Sequence, residues 1–305
     1  MSKDHASFVS EDRSLAPREV PDGSPWALVN QSVADLMSGP SVSSERVSQG
    51  LVGEACRVLA DAGDWVEICL ERDGYVGWVH AGALYRAPEH GVREYLSRAQ
   101  TWLSAEIAQA YLSPDRELVV GKLPFGVCLP LADQRDPLLA LRLPDGRKWW
   151  LAKSDVGPLS ERPRPDKEGT SGGLRLMQRS IGVPYLWGGR TPFGYDCSGF
   201  SQTFCALFGV QIPRDADQQF RVGREVEGDP EPGDLIFFSL PGGPGEGARY
   251  RDVRHVAVSL GGDEILHASG KARSVVRDLL AKEGDSYGAW LRQRLAGVRR
   301  FLPCA

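Results

Sequence analysis

The sequence predicts an α+β protein in which two small β-barrels precede a domain built helix first and sheet afterwards. Three observations carry this. Short β-like runs separated by glycine turns fill the first half, a proline-rich charged stretch follows, and beyond it helical spacing gives way to apolar strands. At 305 residues with 42% hydrophobic content, the chain is long enough for several cores.

Residues 1–25 are polar, carry three prolines and lack periodicity, the pattern of a tail or an arm over another domain. From Trp26 to residue 86 the runs Cys56-Arg-Val-Leu, Trp65-Val-Glu-Ile-Cys-Leu and Tyr75-Val-Gly-Trp-Val are divided by Asp61-Ala-Gly-Asp and Arg72-Asp-Gly, which predicts a first barrel. A second barrel is expected over 87–157, from Leu118-Val-Val, Gly126-Val-Cys-Leu-Pro-Leu, Leu138-Leu-Ala-Leu-Arg-Leu and Lys148-Trp-Trp-Leu. Leu51-Val-Gly-Glu-Ala-Cys aligns with Leu123-Pro-Phe-Gly-Val-Cys as a degenerate repeat. The Ala- and Glu-rich stretch 93–112 leaves room for helix at that boundary. Residues 158–169 have linker composition, and 170–305 form the last domain. There Leu174, Met177 and Ile181 give a helix over 171–181, and Asp234-Leu-Ile-Phe-Phe-Ser and Val256-Ala-Val-Ser-Leu give strands.

After Cys197, apolar residues recur at Phe200, Phe204, Leu207 and Phe208 before Gly209, so a helix begins at the cysteine with Asp196 as its N-cap. A thiol at the positive end of a helix dipole is expected to ionise readily, with a pKa brought from ~8.5 to roughly 3.5 to 7.5, and the helix N-terminus offers an N–H to an oxyanion. The histidines of this domain are His255 and His267, flanking the Gly261-Gly262-Asp263 turn. A three-residue loop is expected, which pairs Leu260 with Glu264 and Ala257 with His267 and puts both imidazoles on one face. A two-residue loop would separate them unless a bulge intervenes. The other five cysteines have no C-x-x-C spacing and read as packed free thiols.

A net charge of −4 gives no basic footprint for nucleic acid. No stretch approaches the ~20 apolar residues of a membrane span, and residues 1–7 lack the pattern of a secretory signal, so a cytoplasmic protein without membrane partner is expected.

The motifs Tyr185-Leu-Trp-Gly-Gly, Asp196-Cys-Ser-Gly-Phe, Pro213-Arg-Asp-Ala with Gln218, Pro232-Gly-Asp-Leu, His255-Val-Ala and His267-Ala-Ser together resemble the NlpC class of papain-like cell-wall cysteine peptidases. The barrels upstream resemble bacterial SH3 domains, and the combination is similar to γ-D-glutamyl-L-diamino-acid endopeptidases of murein peptide recycling. The resemblance implies Cys197 as nucleophile, His255 as general base and acid, and His267 as the orienting residue. It implies Tyr185 beside the oxyanion, and Asp196, Ser198, Arg214 and Asp215 as contacts to the L-Ala-γ-D-Glu portion. It places Glu54 and Tyr75 at the terminal amine of L-Ala, against the plainer readings of a turn acid and a barrel-packing aromatic. The expected partner is a murein peptide carrying diaminopimelate or lysine, acted on by a monomer with neither metal nor cofactor. Segment 240–254 is expected to form a lid beside His255. A non-catalytic wall-binding protein, or an amidase or acyltransferase with the same machinery, are the alternative readings.

Overall fold

In a computed structural model the described residues are 25–239, 252–281, 283–284 and 286–302. The polar tail, Cys304 and most of the expected lid lie outside them. Among the described residues, those from 25 to 162 and those from 163 onward form two compact units.

The first unit opens with β1 (Trp26–Val29), β2 (Val33–Met37), β3 (Arg46–Leu51), β4 (Ala55–Ala62), β5 (Trp65–Leu70), β6 (Val76–His80) and β7 (Leu84–Arg86). They form one antiparallel sheet in the order β3-β2-β6-β5-β4-β1-β7. Alternation decides its inner face: Val58, Val66, Ile68 and Val79 point to a core with Leu36 and Leu70. Gly63 and Gly74, at φ of +69° and +70°, sit in the two turns expected from sequence. Helix α1 (Glu89–Arg98) buries Val92 against Leu28 and Ala55, resolving the ambiguous stretch partly as helix.

Next come β8 (Thr101–Leu103), β9 (Ile107–Tyr111), β10 (Val119–Pro124), β11 (Cys128–Leu129), β12 (Leu131–Arg135), β13 (Leu138–Arg142), β14 (Lys148–Ala152) and β15 (Val156–Pro158). They make a five-stranded sheet, β10-β9-β14-β13-β12, and a three-stranded one, β11-β8-β15. The fold is SH3-like, yet these sheets are open: no ladder joins the outer strands of either larger sheet among the described residues. The expected separation into two barrels is also incomplete. Leu51 and Val52 belong to the same core as Leu123, Leu141 and Leu151.

The second unit contains α2 (Lys167–Gln178), β16 (Arg190–Thr191), β17 (Gly194–Tyr195), α3 (Cys197–Leu207), α4 (Ala216–Val222) and β18 (Arg224–Glu225). It continues with β19 (Leu235–Ser239), β20 (Val253–Gly261), β21 (Glu264–Ser269), β22 (Ser274–Leu279), α5 (Tyr287–Arg292) and β23 (Leu295–Arg300). Helix α2 starts inside the expected linker, because Asp166 caps it by accepting the Gly169 N–H at 2.8 Å. The antiparallel sheet runs β18-β23-β19-β20-β21-β22, and α3 packs on β20 and β21. Phe200, Phe204 and Leu207 are each at most 2% exposed on the face of α3 that sequence spacing identified.

Candidate active site

Cys197 opens α3, and the loop before it is held by one carboxylate. Asp196 accepts the Gly199 N–H at 2.7 Å as N-cap and the Gly188 N–H at 2.9 Å from the Trp-Gly-Gly loop. Arg214 donates to both its oxygens, at 3.0 and 2.6 Å, and to the Ser198 hydroxyl at 2.9 Å. Asp196, Ser198 and Arg214 are all buried. The residues that sequence resemblance assigned to substrate thus first build the helix start, because a buried guanidinium and carboxylate each require the other. Glycine is required in the same place: a Cβ at Gly199 would lie 2.2 Å from the Gly189 carbonyl oxygen.

Gln219, on α4, completes this support. Its amide donates to the carbonyls of Ser198 at 3.1 Å and Pro213 at 2.8 Å, and accepts the Ser201 hydroxyl at 2.8 Å. Sequence reading chose Gln218, whereas helix phase buries its neighbour Gln219. Asp215 is the half-buried N-cap residue of α4, without a side-chain capping bond.

Cys197 is 7% exposed, and its sulfur lies against β20, 4.0 Å from the Arg254 carbonyl oxygen. Burial pushes the thiol up to about 12, with the Asp196 carboxylate adding to it, while the Val256 N–H, Arg214 and the Ser198 N–H act in the opposite direction. The expected ready ionisation is therefore corrected. Desolvation outweighs the helix terminus in the ligand-free site.

Between the two backbone groups that approach the sulfur stands His255. Its Nε2 meets His267 Nδ1 at 2.7 Å, with ring centroids 4.9 Å apart at 73°. Burial first, and His267 second, hold the His255 imidazole well below its ordinary value of 6.5. The hairpin reaches this arrangement by the second route. Gly261 pairs with Glu264, so the loop is Gly262-Asp263, and a bulge at Leu260 restores the pairing Ser259 with Ile265 and Val258 with Leu266. The expected Leu260 to Glu264 pair is absent because the bulge absorbs the extra residue.

Tyr185 is half-buried, its hydroxyl raised by burial first and then by the nearby Cys197 and Asp196 charges. Two further residues escaped sequence reading. Tyr287 stacks on His267 at 6.3 Å and 15°, and Asp278 Oδ2 lies 3.9 Å from His267 Nε2. The periodicity of β22 and the capping Ser286 of α5 were the available signals.

Glu54 and Tyr75 belong to the first unit. Glu54 accepts the Leu51 N–H at 2.9 Å and pairs with Arg72 at 3.1 Å, so its charge is already compensated. Tyr75 packs beside the Val58 and Ile68 core. Among the described residues no cluster of three His, Cys, Asp or Glu could hold a metal.

Comparison with known proteins places residues 182–298 in a match to the NlpC/P60 family and residues 36–91 in a match to the bacterial dipeptidyl-peptidase Sh3 domain. A γ-D-glutamyl-L-lysine dipeptidyl-peptidase of Bacillus cereus is 27% identical over 98% of this chain and 89% of its own length. One of Bacillus subtilis is 29% identical over 75% of this chain and 74% of its own. The crystal structure of an NlpC/P60 family protein from Bacillus cereus superposes with a TM-score of 0.77 at 25% identity, covering 91% of this chain and all of the other.

Proposed function

Because residues 182–298 match the NlpC/P60 family and residues 36–91 the bacterial dipeptidyl-peptidase Sh3 domain, we propose that this chain is a cysteine peptidase that hydrolyses the γ-D-Glu to diamino acid bond of murein stem peptides. The observation that carries the reading is the 2.7 Å contact between His255 and His267 on a strand that touches the Cys197 sulfur.

With His255 Nε2 engaged, its Nδ1 is the ring nitrogen left to take the thiol proton. Both groups rest neutral, since the thiol is held high and the imidazole low. Proton transfer therefore accompanies attack on the amide carbon rather than preceding it. The oxyanion develops at the N-terminus of α3, facing the Cys197 N–H, with Tyr185 beside it. His255 then protonates the departing amine, and water attacks the thioester with His255 as base, releasing L-Ala-γ-D-Glu and restoring the thiol.

A free N-terminal L-Ala is the finer reading. Its support is the resemblance of Val52-Gly-Glu and Gly74-Tyr-Val-Gly-Trp to that family's positions, and the full-length similarity to enzymes named dipeptidyl-peptidases. Asp196, Ser198 and Arg214 support the site through backbone placement, and Asp215 stands at the N-cap of α4.

The test is mass spectrometry of L-Ala-γ-D-Glu-diaminopimelate, and of its lysine counterpart, incubated with the protein. Loss of the L-Ala-γ-D-Glu product in Cys197→Ala is the expected result. Unchanged hydrolysis by that variant would refute the proposal.

A further inference from the structure

His267 Nε2 is buried and has no hydrogen-bond partner among the described residues. A neutral imidazole that accepts at Nδ1 must carry its proton at Nε2, so the unsatisfied atom is the one that decides whether His267 can accept from His255 at all. One carboxylate faces it. Asp278 sits on β22, where Ile265 pairs with Asp278 and His267 with Val276, so Asp278 and His267 are diagonal neighbours on one face of the sheet. Asp278 Oδ1 already accepts the Leu279 N–H at 3.0 Å, which leaves Oδ2, 3.9 Å from His267 Nε2.

We propose that Asp278 is a positioning residue for the hydrolysis, acting through His267: it holds the Nε2–H tautomer, so that Nδ1 accepts from His255 Nε2–H and His255 Nδ1 is left as the base facing Cys197. The inference rests on the peptidase reading given above. A separation of 3.9 Å exceeds a direct hydrogen bond, and one bridging water or a side-chain movement of about 1 Å closes it. The surroundings limit how Asp278 could act otherwise. Tyr287 of α5 covers the His267 ring face, and a Cβ at Gly288 would lie 1.8 Å from the Leu279 carbonyl oxygen, so α5 lies directly on this strand end. His267 also holds the Asp278 carboxyl below its usual range, as the largest influence on it.

The titratable groups packed around the His267 ring are Asp278 from β22 and Tyr287 from α5, with the Lys271 ammonium 5.1 Å over the Tyr287 ring. Of these, only Asp278 supplies an acceptor directed at His267 Nε2.

Two measurements on the full chain test the assignment. Long-range 15N NMR of 15N-histidine-labelled wild-type protein is expected to show His267 protonated at Nε2 and unprotonated at Nδ1. Asp278→Asn is expected to lower kcat about 10- to 100-fold, by analogy with carboxylates that orient metal-bound histidines, with KM within about twofold and Asp278→Glu recovering most of the loss. Wild-type His267 protonated at Nδ1, or kcat of Asp278→Asn within about twofold of wild type, overturns the proposal. Hydrolysis that survives in Cys197→Ala would instead sink the peptidase reading, while the tautomer measurement still reports on Asp278.

Discussion

Cys197 and His255 are each shifted against ionisation, so the pair stores its reactivity as a neutral thiol beside a neutral imidazole. Iodoacetamide labelling of the ligand-free protein should therefore show no plateau at pH 6 and should rise with pH, because thiolate becomes appreciable only towards alkaline solution. A fast, pH-independent reaction between pH 5 and 7 would contradict this resting state. The same shift sets the acid limb of catalysis: kcat/KM should fall only well below pH 6.5, where His255 finally protonates. It also affects stability. The unfolded chain binds this proton below about 6.5 and the folded one does not until lower pH, so stability is constant above 6.5 and declines as pH falls towards the folded value, by at most about 1.4 kcal/mol per pH unit. Urea midpoints at pH 7 and 5 should converge more closely in His255→Gln than in wild type. Arg214 acts differently. It is 1% exposed and binds Asp196 through two hydrogen bonds, so Arg214→Met should cost about 3 to 5 kcal/mol by stranding a buried carboxylate, and Arg214→Lys should recover little of it because the fork is lost.

The element that positions Cys197 is the turn from β17 into α3, and its tightest point is Gly199. Gly199→Ala would drive a Cβ to 2.2 Å from the Gly189 oxygen and 3.0 Å from Asp196 Oδ1, so the helix start must move. A loss of about 1 to 3 kcal/mol in chemical denaturation is expected, together with a fall in kcat from misplacing the sulfur. Full activity in that variant would show the loop to be adaptable. This turn was legible in the sequence because capping, apolar spacing and terminal glycine all agreed on one helix from Cys197 to Leu207. The β20 to β21 hairpin was legible in its outcome but not its path: the histidine spacing required a shared face, while the choice between a longer loop and a bulge depends on Ser259, whose hydroxyl accepts the Gly261 N–H at 3.1 Å. Asp278 and Tyr287 were not legible. Their contacts to His267 arise from sheet pairing and from the docking of a six-residue helix, and the periodicity of β22 and the Ser286 cap mark those elements without specifying what they pack against.

At the level of the whole molecule, the described residues fall into two compact units, and within the first a core crosses the expected boundary at residue 86. Turn spacing showed where strands begin and end in the first half, but it carries no information about which sheets bury their faces together. Leu51 and Val52, from the end of β3, pack with Leu103, Leu123, Leu129, Leu141 and Leu151 of the later sheets. The Asn30 amide donates to Asp145 at 3.0 Å, and the Tyr95 hydroxyl to the Arg142 carbonyl at 2.8 Å. Gly53, at φ +87°, lets its backbone approach to where a Cβ would stand 3.0 Å from the Cys128 carbonyl oxygen. Contacts of this kind make residues 25–162 one cooperative folding unit. The consequence can be measured with Leu123→Ala, which removes a fully buried side chain from the common core and should cost about 2 to 5 kcal/mol. If the unit is cooperative, native-state hydrogen exchange through global unfolding should accelerate by that same free energy at Val58 and Ile68, in the sheet that does not contain the substitution, as at Leu141 and Leu151, in the five-stranded sheet that does. Protection retained at Val58 and Ile68 while Leu141 and Leu151 lose theirs would mean that the two β-rich segments unfold independently, and the common core would then be a contact between domains rather than the centre of one.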